Sequence, residues 1–219
     1  MSSAASPDAT KGSHGWQMRS AVARRQAVPE ILRRLHAAQA EGRRWKPPHN
    51  GAVVVIDGPS GAGKSHLASE LAAVGRAESL ALQGTVPLDD LVPGWNSLAA
   101  GVQAGREFLL ALDAGMQAQT RSWNWQDSCP GDWITQPPLH GGVLLLEGCG
   151  SLASAAQVFE RLVLLRVWVY APPEVCLKRV RQRDAYSWDR RSWQAQADKQ
   201  AQAWQQGPAC YWPDLMVVG

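Results

Sequence analysis

The chain has 219 residues, 45% of them apolar, which suffices for one large domain or two small ones with a buried core and excludes a fibrous or collagenous chain. Its net charge of +3 is unevenly spread: residues 1–50 hold nine Lys or Arg against three acids, and residues 51–219 hold thirteen against sixteen. The main body is therefore mildly acidic, which argues against a broad nucleic-acid footprint there.

In chain order, residues 1–18 are rich in Ser, Ala and Gly and predict a disordered tail. Residues 19–50 predict a basic helix and linker. Ile31, Leu32, Leu35 and Ala38 recur at helical spacing from Pro29 to about Ala40, with arginines opposite, and a proline pair ends the segment. The run Arg33, Arg34, Arg43, Arg44 and Lys46 reads as a solvated helix face, with contact to nucleic acid or acidic lipid as the alternative. Residues 51–219 predict one domain. Four consecutive β-branched residues, Val53 to Ile56, have the continuous apolar character of a parallel strand covered on both faces.

Beyond it, Ser65 to Val74 predicts a helix and Ser79 to Gln83 a second short strand, followed by a Pro- and Gly-rich loop carrying Asp89, Asp90 and Trp95. Leu98 to Ala114 predicts a helix, Met116 to Trp125 an extended piece, and Gln126 to Gly142 a loop. Further strands are expected at Val143 to Glu147, Leu162 to Tyr170 and Leu215 to Val218, and helices at Glu174 to Arg183 and Arg191 to Gln205. The alternation predicts a three-layer α/β/α sandwich on a parallel sheet.

Between the first buried strand and its helix lie Gly58, Pro59, Ser60, Gly61, Ala62, Gly63, Lys64 and Ser65, spaced as G-x-x-x-x-G-K-S. This is a phosphate-binding loop. Glycines let backbone N–H groups approach an anion, and the helix N-terminus adds the positive end of its dipole. Lys64 is expected to reach the β- and γ-phosphates of a nucleoside triphosphate, and the Ser65 hydroxyl to ligate Mg²⁺. His66 completes the nucleotide-binding set and is read as packing rather than as a proton carrier. Open α/β sheets bind ligands at the carboxyl ends of their strands, so Glu147 should emerge beside Lys64 and Ser65. Phosphoryl transfer also needs an acid for the acceptor, supplied by Asp89 or Asp90, and cations on the transferring group, supplied by the basic helix around Arg179 and Arg183. Eleven tryptophans are an unusual share; Trp95 and Trp125, with Arg121, are candidate walls of a substrate pocket.

The stretches I-D-G-P-S-G-A-G-K-S, D-D-L-V-P-G-W, W-N-W, D-W-I-T, L-L-L-E-G-C-G and R-V-R-Q-R-D, in that order, resemble the uridine-kinase and nucleoside-monophosphate-kinase branch of P-loop NTPases. They resemble more closely a group of small actinobacterial-type proteins described as uridine-kinase-like or ATP-binding. The resemblance spans roughly residues 52–218. It implies an ATP- and Mg²⁺-dependent kinase, with Asp89 at the place of the acceptor-contacting base and Asp90 as the alternative. It also places Glu147 where an acid holds Mg²⁺ through water, and Arg179 and Arg183 in a lid helix over the phosphates. Val92 departs from the pattern, since an aromatic is expected there.

The acceptor is expected to be a nucleoside, nucleotide or other hydroxyl-bearing metabolite. A nucleotide switch without acceptor chemistry is the competing reading, but N-K-x-D and D-x-x-G are both missing from the chain. Four scattered cysteines form no C-x-x-C pair, no secretory leader is evident, and the longest apolar stretch, Leu162 to Ala171, is broken by Arg166. A reduced, cytoplasmic protein with no membrane or nucleic-acid partner is expected, with a homodimer left open.

Overall fold

The computed structural model describes residues 20–42, 50–94, 97–183 and 212–219, with single positions at 195, 198, 199, 202 and 206. The tail predicted over 1–18, the cations Arg43, Arg44 and Lys46, the indole of Trp95, and nearly all of the helix expected from Arg191 to Gln205 lie outside the described residues.

The β-branched run before the phosphate loop becomes a strand, β2 (Gly51–Asp57), all seven residues of which are buried. Such a strand must sit mid-sheet with both faces covered. The elements in chain order are β1 (Ala21–Ala23), α1 (Ala27–Gly42), β2, α2 (Lys64–Ala77), β3 (Leu82–Pro87), α3 (Leu98–Asp113), β4 (Ala118–Asn124), β5 (Cys129–Gln136), β6 (Val143–Glu147), α4 (Ser151–Ser154), β7 (Leu162–Tyr170), α5 (Pro173–Arg183) and β8 (Leu215–Val218). A six-stranded sheet runs β1-β8-β7-β2-β6-β3, and every pairing in it is parallel. One face carries Val54, Ile56, Leu145, Val167 and Val217 against Ile31 and Leu35 of α1, Leu67 and Leu71 of α2, and Cys176 of α5. The other carries Val53, Val55, Leu144 and Leu146 against Phe108, Leu109 and Leu112 of α3. The predicted three-layer α/β/α sandwich is the observed fold.

Three local expectations are corrected. The second strand lies at Leu82–Pro87 and not at Ser79 to Gln83, because α2 continues to Ala77 and Ser79 takes a left-handed turn, φ 60°. The stretch read as loop, Gln126 to Gly142, contains β5, which pairs antiparallel with β4 in a separate two-stranded hairpin. Its residues are mostly exposed, so the apolar signal of a buried strand was missing. The short β1 had no signal at all and is held by pairing Ala21–Ala23 with Met216–Val218 of β8.

The basic face of α1 is also not uniformly solvated. Arg34 is partly buried; it donates to the Asp214 carbonyl at 2.8 Å, to the Ser20 hydroxyl, and to Glu30 at 2.7 Å, tying α1 to β8. Arg33 is exposed and closes the same Glu30 carboxylate at 2.7 and 2.8 Å. Hydrogen bonds from Arg33 and Arg34 hold the Glu30 carboxyl down to about 2. Among the described residues, no helix is long and apolar enough to cross a membrane.

Arg34→Ala should destabilise the fold by about 1–2 kcal/mol, read from urea unfolding, since it leaves the Asp214 carbonyl without this donor. Because the Glu30 carboxyl is depressed, its contribution is present above the ordinary carboxyl range and fades as pH falls from about 4.5 toward about 2. The stability gap between wild type and Glu30→Gln should close across that window, and a gap independent of pH would contradict the assignment.

Candidate active site

The carboxyl ends of three adjacent strands are flush: Glu147 of β6 is in register with Ile56 of β2 on one side and Pro87 of β3 on the other. The residues that leave these ends, at 57–65, 88–91 and 147–150, therefore converge. The loop 58–65 closes a turn through the Ala62 N–H on the Pro59 carbonyl at 3.0 Å, and α2 begins with Leu67 N–H bonding Gly63 at 3.0 Å. The first four N–H groups of that helix have no partner within it and open toward the loop. Gly61 has φ 84°, and a Cβ there would lie 2.4 Å from the Cys176 carbonyl of α5, so only glycine lets the loop pass beneath α5.

Asp57, which in the sequence only follows the buried run Val53 to Ile56, organises this junction. It is completely buried, and its two oxygens accept from the Gly58 N–H at 2.7 Å, the Gly150 N–H at 3.0 Å and the Leu152 N–H at 2.9 Å. It thus fastens the start of the phosphate loop to the turn that carries Glu147 into α4. Burial raises its carboxyl to about 6, against the lowering effect of these donors and of Lys64.

Lys64 is 6% exposed, and its ammonium donates to the Gly58 carbonyl at 2.9 Å, the Pro59 carbonyl at 3.2 Å and the Cys149 sulfur at 3.2 Å. Burial opposes its charge, while Cys149, Asp89 and Asp57 favour it, and the net shift is upward. Burial pushes the Cys149 thiol itself up to about 11, so at neutral pH the thiol is uncharged and the carboxylates are what hold the ammonium. Cys149 went unnoticed in the sequence because a lone cysteine carries no spacing signal.

Asp89 and Asp90 lie in a 3₁₀ turn, Leu88–Leu91, directly after β3. The Asp89 carboxylate accepts the Cys149 N–H at 3.3 Å. Gly148, φ 143°, permits this approach: a Cβ there would meet Leu88 Cβ at 2.9 Å and the Asp89 nitrogen at 3.2 Å. Asp90 is raised by burial and then by Asp89. Glu147 is raised by burial, against a hydrogen bond from Ser65 and the charge of Lys64, and its Oε2 is buried with no hydrogen-bond partner among the described residues. Ser65, Glu147, Asp89 and Asp90 thus form an oxygen-only, acidic edge beside the loop. Among the described residues, no three His, Cys, Asp or Glu are grouped to hold a metal ion alone. The donor set fits Mg²⁺, which keeps waters and phosphate oxygens in its shell and needs few protein ligands. Ser65 and, through water, the open oxygen of Glu147 are the residues that fit.

The other expected residues divide. Arg179 donates to the Gly61 carbonyl at 3.2 Å and the Ala62 carbonyl at 3.4 Å, and Arg183 to the Ser60 hydroxyl at 3.4 Å, so α5 does lie over the loop. Trp125 donates its indole N–H to the Asp89 carbonyl at 3.3 Å, which brings the turn of the β4–β5 hairpin onto the acidic turn. Arg121 instead stacks on its cross-strand partner Trp133, 5.3 Å from the ring centroid. His66 is 74% exposed and pairs with Glu70 at 3.0 Å, so it is not the packing residue expected.

A family model described as "AAA domain" matches residues 54–205. No curated protein matches the sequence at a significant level. Among solved structures, a Bacillus stearothermophilus protein provisionally named a uridine kinase superposes with a TM-score of 0.52 at 14% identity, covering 86% of this chain and 99% of its own. A Silicibacter sp. TM1040 protein provisionally named a fructose transport system kinase superposes with a TM-score of 0.53 at 18% identity, covering 89% of this chain and 98% of its own. At these identities the likeness establishes a P-loop kinase-like fold.

Asp57→Asn keeps the size of the side chain but turns an N–H₂ toward backbone donors. We expect about 2 kcal/mol or more of lost stability at pH 7, measured by chemical denaturation. Because the wild-type carboxyl is raised, it costs the native state stability as pH rises from about 3.8 to about 6, so the wild type loses in that window a component that the variant does not.

Proposed function

The chain belongs to the AAA domain family, and from that premise we propose that it binds ATP on the Gly58–Ser65 loop and transfers the terminal phosphoryl group to a hydroxyl of a small acceptor. One observation carries the reading: Asp89, held by the Cys149 amide at the end of β3, faces the same junction as Lys64, across the Glu147 strand end. A carboxylate positioned beside the cradle suits a nucleophile that must give up a proton, which in this reading is the acceptor hydroxyl. The neighbours provisionally named kinases support the same direction.

In this reading the N–H groups at the start of α2 and the Lys64 ammonium bind the β- and γ-phosphates, Lys64 exchanging its loop carbonyls for phosphate oxygens. Ser65 and, through water, Glu147 are the residues that would hold Mg²⁺, whose charge would offset that of the phosphates. Asp89 takes the acceptor O–H proton, with Asp90 as the alternative; the acceptor oxygen forms its bond to the γ-phosphorus, the bond to the β-phosphate oxygen breaks, and ADP leaves. Arg179 and Arg183, already over the loop, stabilise charge on the transferring group. Trp125, on the acidic turn, is the described aromatic placed to border the acceptor. The family match also suits a second reading, ATP hydrolysis with no acceptor.

Measuring ADP release with and without a panel of nucleosides, nucleotides and sugars separates the two readings. Acceptor-dependent release is expected, and hydrolysis indifferent to every acceptor would overturn phosphotransfer. Lys64→Ala should lower turnover about a hundredfold or more. Asp89→Asn should lower it by about the same factor while leaving the ATP dissociation constant within about twofold, as expected of a lost general base; unchanged turnover would remove Asp89 from the mechanism.

A further inference from the structure

The acidic turn Leu88–Leu91 is held from three directions. From within, its ends press on α3. Leu88 and Val92 are buried, and a Cβ at Gly105 would meet Leu88 Cδ1 at 2.6 Å while one at Gly101 would meet Val92 Cγ2 at 2.5 Å, so the helix is bare where the turn lies against it. From the β6 side, the Cys149 N–H reaches the Asp89 carboxylate at 3.3 Å. From outside, the Trp125 indole N–H reaches the Asp89 carbonyl at 3.3 Å. The same carbonyl accepts the Val92 N–H that closes the turn, at 3.4 Å.

The hairpin that supplies Trp125 is anchored at both ends. At its base Ala118 and Gln136 are buried, and Gln136 donates to Gln83 of β3 at 2.8 Å while Gln83 donates to the Leu139 carbonyl at 2.6 Å. At its tip the Asn124 side chain accepts from the Gln126 and Asp127 N–H groups at 3.0 and 3.1 Å and donates to the Asp127 carboxylate at 2.8 Å, which sets the backbone around Trp125. The hairpin is therefore tied to the edge strand β3 near its start, through Gln83, and just past its end, through Asp89.

Resting on the phosphotransfer reading, we propose that this hairpin is a strut for the base: beyond bordering the acceptor, Trp125, with Asn124 behind it, is a positioning residue that aims Asp89 through its main chain. Adjacent carboxylates on one turn repel each other, which favours opening it. A 3₁₀ turn has poorer hydrogen-bond geometry than an α-helix, and the closing bond here is long. The apolar floor grips Leu88 and Val92 but leaves the exposed Asp89 to be aimed by polar contacts. Its two tethers differ in kind. The Cys149 amide bonds the carboxylate itself, and that contact weakens once the acid takes a proton and loses its charge. The indole bonds the carbonyl, so it persists and keeps the base in place through the transfer.

Trp125→Phe keeps a ring at the tip and removes the indole N–H. Hydrogen exchange of the full chain is expected to quicken about tenfold in the amides of residues 88–92 while β2 and β6 exchange as in wild type. With the acceptor that most raises ADP release, kcat is expected to fall about tenfold and the acceptor KM to stay within about twofold. Added to Asp89→Asn, the same change should cost nothing further, because the group it aims is already gone. Asn124→Ala, which loosens the tip and keeps the indole, should give a smaller loss of the same kind. Wild-type exchange at residues 88–92 in Trp125→Phe overturns the strut while leaving phosphotransfer intact. So does a loss confined to KM, which makes the indole an acceptor wall alone, or an equal kcat loss in the Asp89→Asn background, which makes its effect merely structural. Wild-type protein whose ADP release no acceptor raises removes the phosphotransfer reading, and the proposal with it.

Discussion

The geometry of the site depends on one buried carboxylate. Asp57 stands at the end of the central strand with no solvent contact, and its three backbone donors come from the phosphate loop, from Gly150 and from Leu152. A charge in that position is tolerable because three backbone N–H groups meet the two oxygens and because Lys64 lies nearby. In return it joins two chain segments, nearly a hundred residues apart in sequence, at the point where Lys64 and Glu147 must be held in fixed relation. The loop's own glycines cannot do this, since their freedom has to be removed by something outside the loop.

The acid also explains how the pocket is divided electrically. Glu147, Asp89 and Asp90 gather on one side of the lysine, and each of the first and last is pushed upward by burial and by its acidic neighbours. Arg179, Arg183, Arg24 and Arg25 gather on the other or above. A polyanion entering such a site is oriented before any specific contact forms, because one flank repels it and the other attracts it.

What was readable in the sequence follows from where each segment sits. The strands Gly51–Asp57, Val143–Glu147 and Leu162–Tyr170 are covered on both faces, so their apolar runs are continuous and leave little doubt. The loop motif has a spacing imposed by phosphate geometry, and α3 has a clear amphipathic period. The hairpin was half missed because its second strand faces solvent along most of its length and opens with Cys129, Pro130 and Gly131. Asp57 and Cys149 were missed as site residues for another reason: each acts through a contact with a segment far away in sequence, and no local pattern records it. The acidic turn was placed correctly, but only the register of β3 against β6 says that Asp89 comes within reach of Lys64. His66 and Arg121 adjoin strong motifs in sequence and point elsewhere in space.

The pairing of Ala21–Ala23 with Met216–Val218 means that one margin of the sheet is built from strands almost two hundred residues apart. During synthesis on the ribosome, helix α1 can dock on β2 and α2, which follow it directly, but β1 and the Arg34 contact to the Asp214 carbonyl wait for residues 214–218. The apolar stripe of that helix, Ile31, Leu32 and Leu35, shares its cluster with Val54 and Ile56 of β2, Leu67 and Leu71 of α2 and Val167 of β7, so its cover is completed in stages. That margin of the sheet is accordingly the part completed late, and long-range closure of this kind makes a parallel sheet slow to complete.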